Sequence, residues 1–219
     1  SSLRPKIDQS ADKVESKVID WRRDIHQHPE LGNQEFRTAK KVADHLRSLG
    51  LEVTEGVAVT GVIGVLKSGK PGPMVALRAD MDALPVTERV DLPFKSTVTT
   101  TYNDQQTGVM HACGHDTHVA ILMGVAEVLA GMKDQLQGSV KFIFQPAEEG
   151  GAGGKEMCDD GLMERWNIQE VYGMHNWPGR PVGAFAIRPC AFFAATDTFW
   201  IKFEGRGCLA GKPNGSVAP

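Results

Sequence analysis

The sequence predicts an α/β sandwich in which helices cover a mostly parallel or mixed sheet. Three observations predict it. Two segments with helical apolar spacing open the chain, three short strand-like segments follow, and a buried helix then alternates with further strands. No low-complexity segment and no repeat at solenoid periods interrupts that order. At 219 residues the chain suits one large domain or one and a half, and it can bury a real core.

Val14, Val18, Trp21 and Ile25 recur at helical spacing, with Ser10 as the expected N-cap. His26-Gln-His-Pro29 should end that helix, because the residue before proline resists the helical region. Phe36, Val42, Ala43, Leu46 and Leu49 form the stripe of a second helix, with Gly50 as its left-handed terminator. Strands are expected at Leu51–Val57, Gly61–Leu66 and Met74–Arg78, with a turn at Gly69–Gly72. Val86–Gly108 reads as a long irregular loop, which in a compact domain is more often functional than idle. Beyond it lie a buried helix over Val119–Met132, a core strand over Gly138–Gln145 and a short helix over Lys155–Gly161. Further strands are expected at Ile168–His175, Val182–Ile187 and Thr196–Glu204, and Gly205–Pro219 has almost no apolar periodicity.

Hydrophobic residues at 41% and charged residues at 23% describe an ordinary globular chain. A net charge of −3 gives no reason to expect nucleic acid or an anionic membrane as partner. No apolar run approaches the roughly 20 residues of a membrane span. A soluble protein is expected, cytoplasmic or, if a leader has been removed, periplasmic in a bacterium. Cys113, Cys158, Cys190 and Cys208 are too few for a disulfide scaffold.

Chemistry concentrates in Met110-His-Ala-Cys-Gly-His-Asp-Thr-His118, which combines thiol, imidazole and carboxylate, the ligand set of zinc and its neighbours. A nucleophilic cysteine is the rival reading, and a polar helix start with incidental histidines is the bland one. Cys113 and His115 can converge on one cation only in a turn before the helix, and Gly114 permits that turn. His118 lies one helical turn beyond His115 and suits a supporting role. Asp80 and Asp82 follow a strand, at the end where open α/β sheets build their sites. Glu148 and Glu149 follow another strand; in extended backbone they point apart, so one can bind metal while the other serves as general base. His175 closes a third expected strand, where a lone histidine is more often structural than ligating.

Four motifs in this order carry a resemblance: Arg78-Ala-Asp-Met-Asp-Ala-Leu-Pro85, Met110–His118, Gln145-Pro-Ala-Glu-Glu-Gly150 and Met174-His-Asn176. With Asp24-Ile-His-Gln-His-Pro-Glu-Leu31, they look like the metallo-amidohydrolases of the aminoacylase and carboxypeptidase family. The branch is that of hippurate and indole-acetyl-amino-acid hydrolases, and the similarity covers about residues 20 to 207. It implies a three-layer α/β/α catalytic domain with a mixed sheet over residues 1–193, and the start of a lid and dimerisation domain over 194–219. It implies two divalent metal ions, manganese or zinc with nickel or cobalt possible, held by Cys113, His115, Glu149 and His175. Glu148 matches the general base, and Asp80, Asp82 and His118 are placed as orienting groups behind the ligands. The implied reaction is hydrolysis of an N-acyl amino acid by a metal-activated water, in a protein that forms a homodimer or larger assembly. A nucleophilic role for Cys113 recedes, because the thiolate is already a ligand and no base is paired with it.

Two departures qualify the resemblance. Members of the branch are about twice as long and carry one more metal-binding histidine near the C-terminus. Positions 208 and 209, glycine and histidine in the family, are Cys208 and Leu209 here, which removes an oxyanion donor. The sequence is therefore expected to be a fragment of a longer protein or a degenerate relative. An active amidohydrolase leads, followed by a non-catalytic metal-binding fragment or pseudoenzyme, and then a dipeptide-cleaving exopeptidase.

Overall fold

Alternation along Ser139–Gln145 sets up the layers, because Phe142 and Phe144 face one side of the strand and Ile143 the other. The computed structural model describes residues 3–190, 193 and 199–202. Its elements are helices α1 (Arg4–Gln27) and α2 (Phe36–Ser48), strands β1 (Glu52–Val57), β2 (Gly61–Lys67) and β3 (Met74–Asp80), and a hairpin of β4 (Thr99–Tyr102) and β5 (Gln105–Gly108). Then come α3 (His115–Ala130), β6 (Ser139–Gln145), the short helices α4 (Gly153–Asp159) and α5 (Leu162–Arg165), and β7 (Glu170–Gly173).

Five strands make one mixed sheet in the order β1-β2-β6-β3-β7. β2 runs antiparallel to both β1 and β6, whereas β3 lies parallel to β6 and β7. The parallel trio ends its strands on the same edge, so Asp80, Gln145 and Gly173 all lead into the same region. On one face α1, α2 and α3 pack Ile25, Val42, Leu46, Val119 and Met123 against Val62, Phe142 and Phe144. On the other, Met157 of α4 and Leu162 of α5 cover Ile63, Val65, Ala76 and Ile143. The fold is thus the three-layer α/β/α sandwich with a mixed sheet. Helix α2 comes so close to the sheet that a Cβ on Gly64 would lie 2.8 Å from Leu46 Cδ1.

Several expectations need correction. α1 begins at Arg4 with Leu3 in the N-cap position and Pro5 in the first turn, leaving Ser10 inside the helix. The segment Val86–Gly108 is not wholly irregular, for Asn103 and Asp104, both at positive φ, close the β4–β5 hairpin. Its strands are Thr- and Gln-rich, with no apolar alternation to announce them. α5 was not expected, and the strand anticipated over Ile168–His175 narrows to Glu170–Gly173, which leaves His175 beyond its end. Val182–Ile187 is not a strand. Among the described residues it has no partner strand, and Val182, Phe185 and Ile187 are exposed. The strand expected at Thr196–Glu204 lies mostly outside the described residues, as do Cys208 and Leu209.

The chain divides into two compact units, residues 1–177 and 178–219. The first holds every element named above; the described residues of the second carry no helix or strand. Among the described residues no helix is long and apolar enough to cross a membrane.

Candidate metal centre

The ends of β3, β6 and β7 meet the start of α3, and every residue anticipated for the site lies there. Gly114, in left-handed conformation at φ 86°, turns the chain between Cys113 and His115 as their spacing required. Potential ligand atoms form three overlapping groups, each within 4.8 Å: Cys113–His115–His175, His115–Glu148–Glu149 and Asp80–His115–His118. His115 belongs to all three. Asp82 joins from behind, and His111, although buried nearby, belongs to none.

Hydrogen bonds to the far ring nitrogens decide which histidine lone pairs face the centre. His115 Nδ1 donates to the Asp82 carbonyl at 2.9 Å, with Asp82 Oδ1 at 3.2 Å, so its lone pair is on Nε2. That Nε2 lies 3.9 Å from both Glu148 and Glu149 and 3.6 Å from Asp80. His175 Nδ1 donates to the Asn176 carbonyl at 2.6 Å, turning its Nε2 to Cys113 Sγ at 3.3 Å. His118 differs. Its Nδ1 donates to Asp80 Oδ1 at 2.6 Å and its Nε2 accepts the Asn176 N–H at 3.0 Å, so both nitrogens are engaged by the protein.

The acids are held as firmly. Asp80 Oδ2 accepts from Arg78 at 2.7 Å, and the same guanidinium donates twice to Gln145 Oε1 at 2.8 and 2.9 Å. Burial works against ionising Asp80, yet the His118 hydrogen bond and the Arg78 charge hold its carboxyl well below the usual range. Asp82 Oδ2 accepts the Glu149 N–H at 2.8 Å. Burial pushes the Glu148 carboxyl up, and the charge of Asp80 pushes it further. The Cys113 thiol is pushed up to about 12, by burial first and then by Glu149, Glu148 and Asp80. His111, pushed down to about 4 by burial, is a neutral ring.

This donor set fits divalent cations. Two buried atoms at its heart, His115 Nε2 and Glu149 Oε1, have no hydrogen-bond partner, although orphaned buried polar atoms are rare. A thiol, two imidazole lone pairs and two carboxylates also crowd together with little positive charge among them, which a cation relieves.

A sequence profile of peptidase family M20/M25/M40 matches residues 76–214. The chain belongs to this family. It is 46% identical over 220 residues to thermostable carboxypeptidase 1 of Saccharolobus solfataricus, covering 99% of this chain and 53% of that protein. With an N-acetylcysteine deacetylase of Bacillus subtilis it shares 41% identity over 211 residues, covering 95% of this chain and 53% of the relative. Among solved structures, a dinuclear metal binding peptidase of the M20 family from Bacillus subtilis superposes with a TM-score of 0.70 at 42% identity, covering 78% of this chain and 45% of that one. The chain spans about half the length of the curated relatives it matches.

Sequence reasoning missed two contributors. The main chain of Asn176 orients both His118 and His175, a role no side-chain pattern announces. Glu35 is fully buried and accepts from the Ala147 N–H, one residue before Glu148. Its only trace in the sequence is an acid at the start of a helix, where a solvated side chain is the ordinary expectation.

Proposed function

We propose that this chain carries the catalytic residues of a metal-dependent amidohydrolase that cleaves N-acyl amino acids. The observation supporting it best is that the Nε2 lone pairs of His115 and His175 are preset toward Cys113, Glu148 and Glu149 by bonds at Nδ1. Cys113, His115, Glu149 and His175 would hold two divalent cations, manganese or zinc and alternatively nickel or cobalt. Such cations polarise an amide carbonyl and make a water acidic near neutral pH.

Glu148 takes the proton from the attacking water on a carboxylate oxygen and passes it to the leaving amide nitrogen. Its carboxyl pKa, raised by burial and then by Asp80, moves in the direction that helps a base also return its proton. Asp82 sets the His115 ring, and Asp80 and Asn176 hold His118 beneath the His175 ring at a centroid distance of 4.7 Å. Residues 1–193 are read as the first part of the catalytic domain and 194–219 as the start of a lid that also mediates dimerisation. The N-acyl amino acid reading draws on the resemblance to N-acetylcysteine deacetylase. Cleavage of peptides is the second reading, favoured by the carboxypeptidase name of the Saccharolobus relative.

Elemental analysis and hydrolysis of hippurate, N-acetylcysteine and dipeptides, with manganese or zinc added, test both. About two equivalents of metal, turnover of the acyl amino acids and its loss in Glu148→Gln are expected. Faster cleavage of dipeptides would favour the second reading. One equivalent or less without turnover would leave a non-catalytic metal-binding protein.

A further inference from the structure

Glu35 is a fully buried acid that the mechanism above leaves unused. It is 0% exposed, and no lysine, arginine or histidine pairs with it among the described residues. A buried carboxylate without a cation is costly, and for stability alone an apolar side chain of similar volume serves better. What it holds is specific. Oε2 accepts from Thr60 Oγ1 at 2.5 Å, which stops the carboxylate from turning, and Oε1 accepts the Ala147 N–H at 2.8 Å.

Ala147 has φ 48°, a left-handed conformation that residues with a Cβ avoid unless their surroundings enforce it. Two residues on, the Glu149 N–H is bound by Asp82 Oδ2 at 2.8 Å. The turn carrying Glu148 is therefore clamped by a buried carboxylate on either side. The Ala147 carbonyl accepts the Gly153 N–H at 3.1 Å, so the amide bond to Glu35 is what fixes the N-terminal side of this residue. Its loss removes a restraint on the positive φ that leads into Glu148.

We infer that Glu35 is a positioning residue for Glu148: by fixing the Ala147 amide it sets the backbone from which the general base is presented. The inference rests on the role given to Glu148 above.

Reach and charge separate in two conservative variants. Glu35→Gln keeps an oxygen on the Ala147 N–H, turns its NH2 to the Thr60 hydroxyl, which can accept, and discards the charge. Glu35→Asp keeps the charge and withdraws the oxygen by one methylene. Turnover of N-acyl amino acids, bound metal and amide hydrogen exchange over residues 147–150 are measured for each in the metal-loaded protein. Glu35→Asp should lower kcat roughly 10- to 100-fold, the scale of an ångström-sized misplacement, with KM and bound metal unchanged and faster exchange over that segment. Glu35→Gln should stay near the parent in all of them. Placed in Glu148→Gln, Glu35→Asp should lower residual turnover no further, since both changes act through one group. The inference is overturned if Gln is the more damaging variant, if exchange is unaltered in Asp, or if Glu35→Asp costs as much in the Glu148→Gln background. Full turnover in Glu148→Gln itself would instead remove the base assignment, a failure visible without touching Glu35.

Discussion

Replacing Asp82 by Asn should weaken metal binding more than it weakens the fold. The carboxylate serves two donors at once, His115 Nδ1 on Oδ1 at 3.2 Å and the Glu149 N–H on Oδ2 at 2.8 Å. An amide has one oxygen, so in either orientation its NH2 faces one of those donors. His115 keeps the Asp82 carbonyl at 2.9 Å, which limits the structural damage. What goes is the negative charge that makes the imidazole a stronger base: burial lowers His115, and Asp82 with Asp80 more than offsets it. Loss of such an outer partner typically costs 10- to 100-fold in metal affinity, or about 1.4 to 2.8 kcal/mol. Competition with a chromophoric chelator reads the dissociation constant directly, and urea unfolding of the metal-free protein reports stability separately. An affinity within twofold of the parent would refute the argument that Asp82 tunes His115.

Three further outcomes follow from the geometry. His26 donates to Asp116 at 2.9 Å and to Glu88 at 3.1 Å, and both acids are buried; these partners raise its pKa above the ordinary 6.5 although burial opposes them. Its stabilisation is full below 6.5 and lost as pH rises through the raised value, so the urea-midpoint gap between parent and His26→Gln should shrink on the alkaline side; a gap that widens there contradicts the pairing. Gly114→Ala forces a Cβ into a φ of 86° and to 2.5 Å from Asn176 Oδ1, so roughly 1–2 kcal/mol of strain plus a clash should lower both the melting temperature and metal affinity. Phe142→Ala, at the centre of the core beneath α1 to α3, should cost about 3–5 kcal/mol in chemical denaturation while metal stoichiometry stays the same.

How much of this was legible in the sequence depended on the physical signal each feature leaves. The core strand at Gly138–Gln145 announced itself through Val140, Phe142, Ile143 and Phe144, and the metal-ligating types stood in clusters beside glycine and proline. The hairpin over Thr99–Gly108 left no such mark, since neither face of a Thr- and Gln-rich ribbon is strongly apolar. Val182–Ile187 erred the other way, its apolar residues reading as a strand although a strand exists only where a neighbour pairs with it. At the site, residue types could be read but hydrogen-bond direction could not. That His118 spends both nitrogens on Asp80 and Asn176 depends on residues 38 and 58 positions away.

The centre draws on segments around positions 80, 113, 148 and 175, and its chain order has a kinetic consequence. Each group joins residues from α3 to a segment distant in the chain, and the three come together only once long loops have closed and β3, β6 and β7 lie side by side. Before then, a cation meets only local pairs such as Cys113 with His115 or Glu148 with Glu149. Cation capture therefore belongs to the downhill side of the folding barrier, and a bound ion slows unfolding far more than it speeds folding. Chelator-sensitive unfolding rates, beside chelator-insensitive refolding rates, are the signature of a site assembled last.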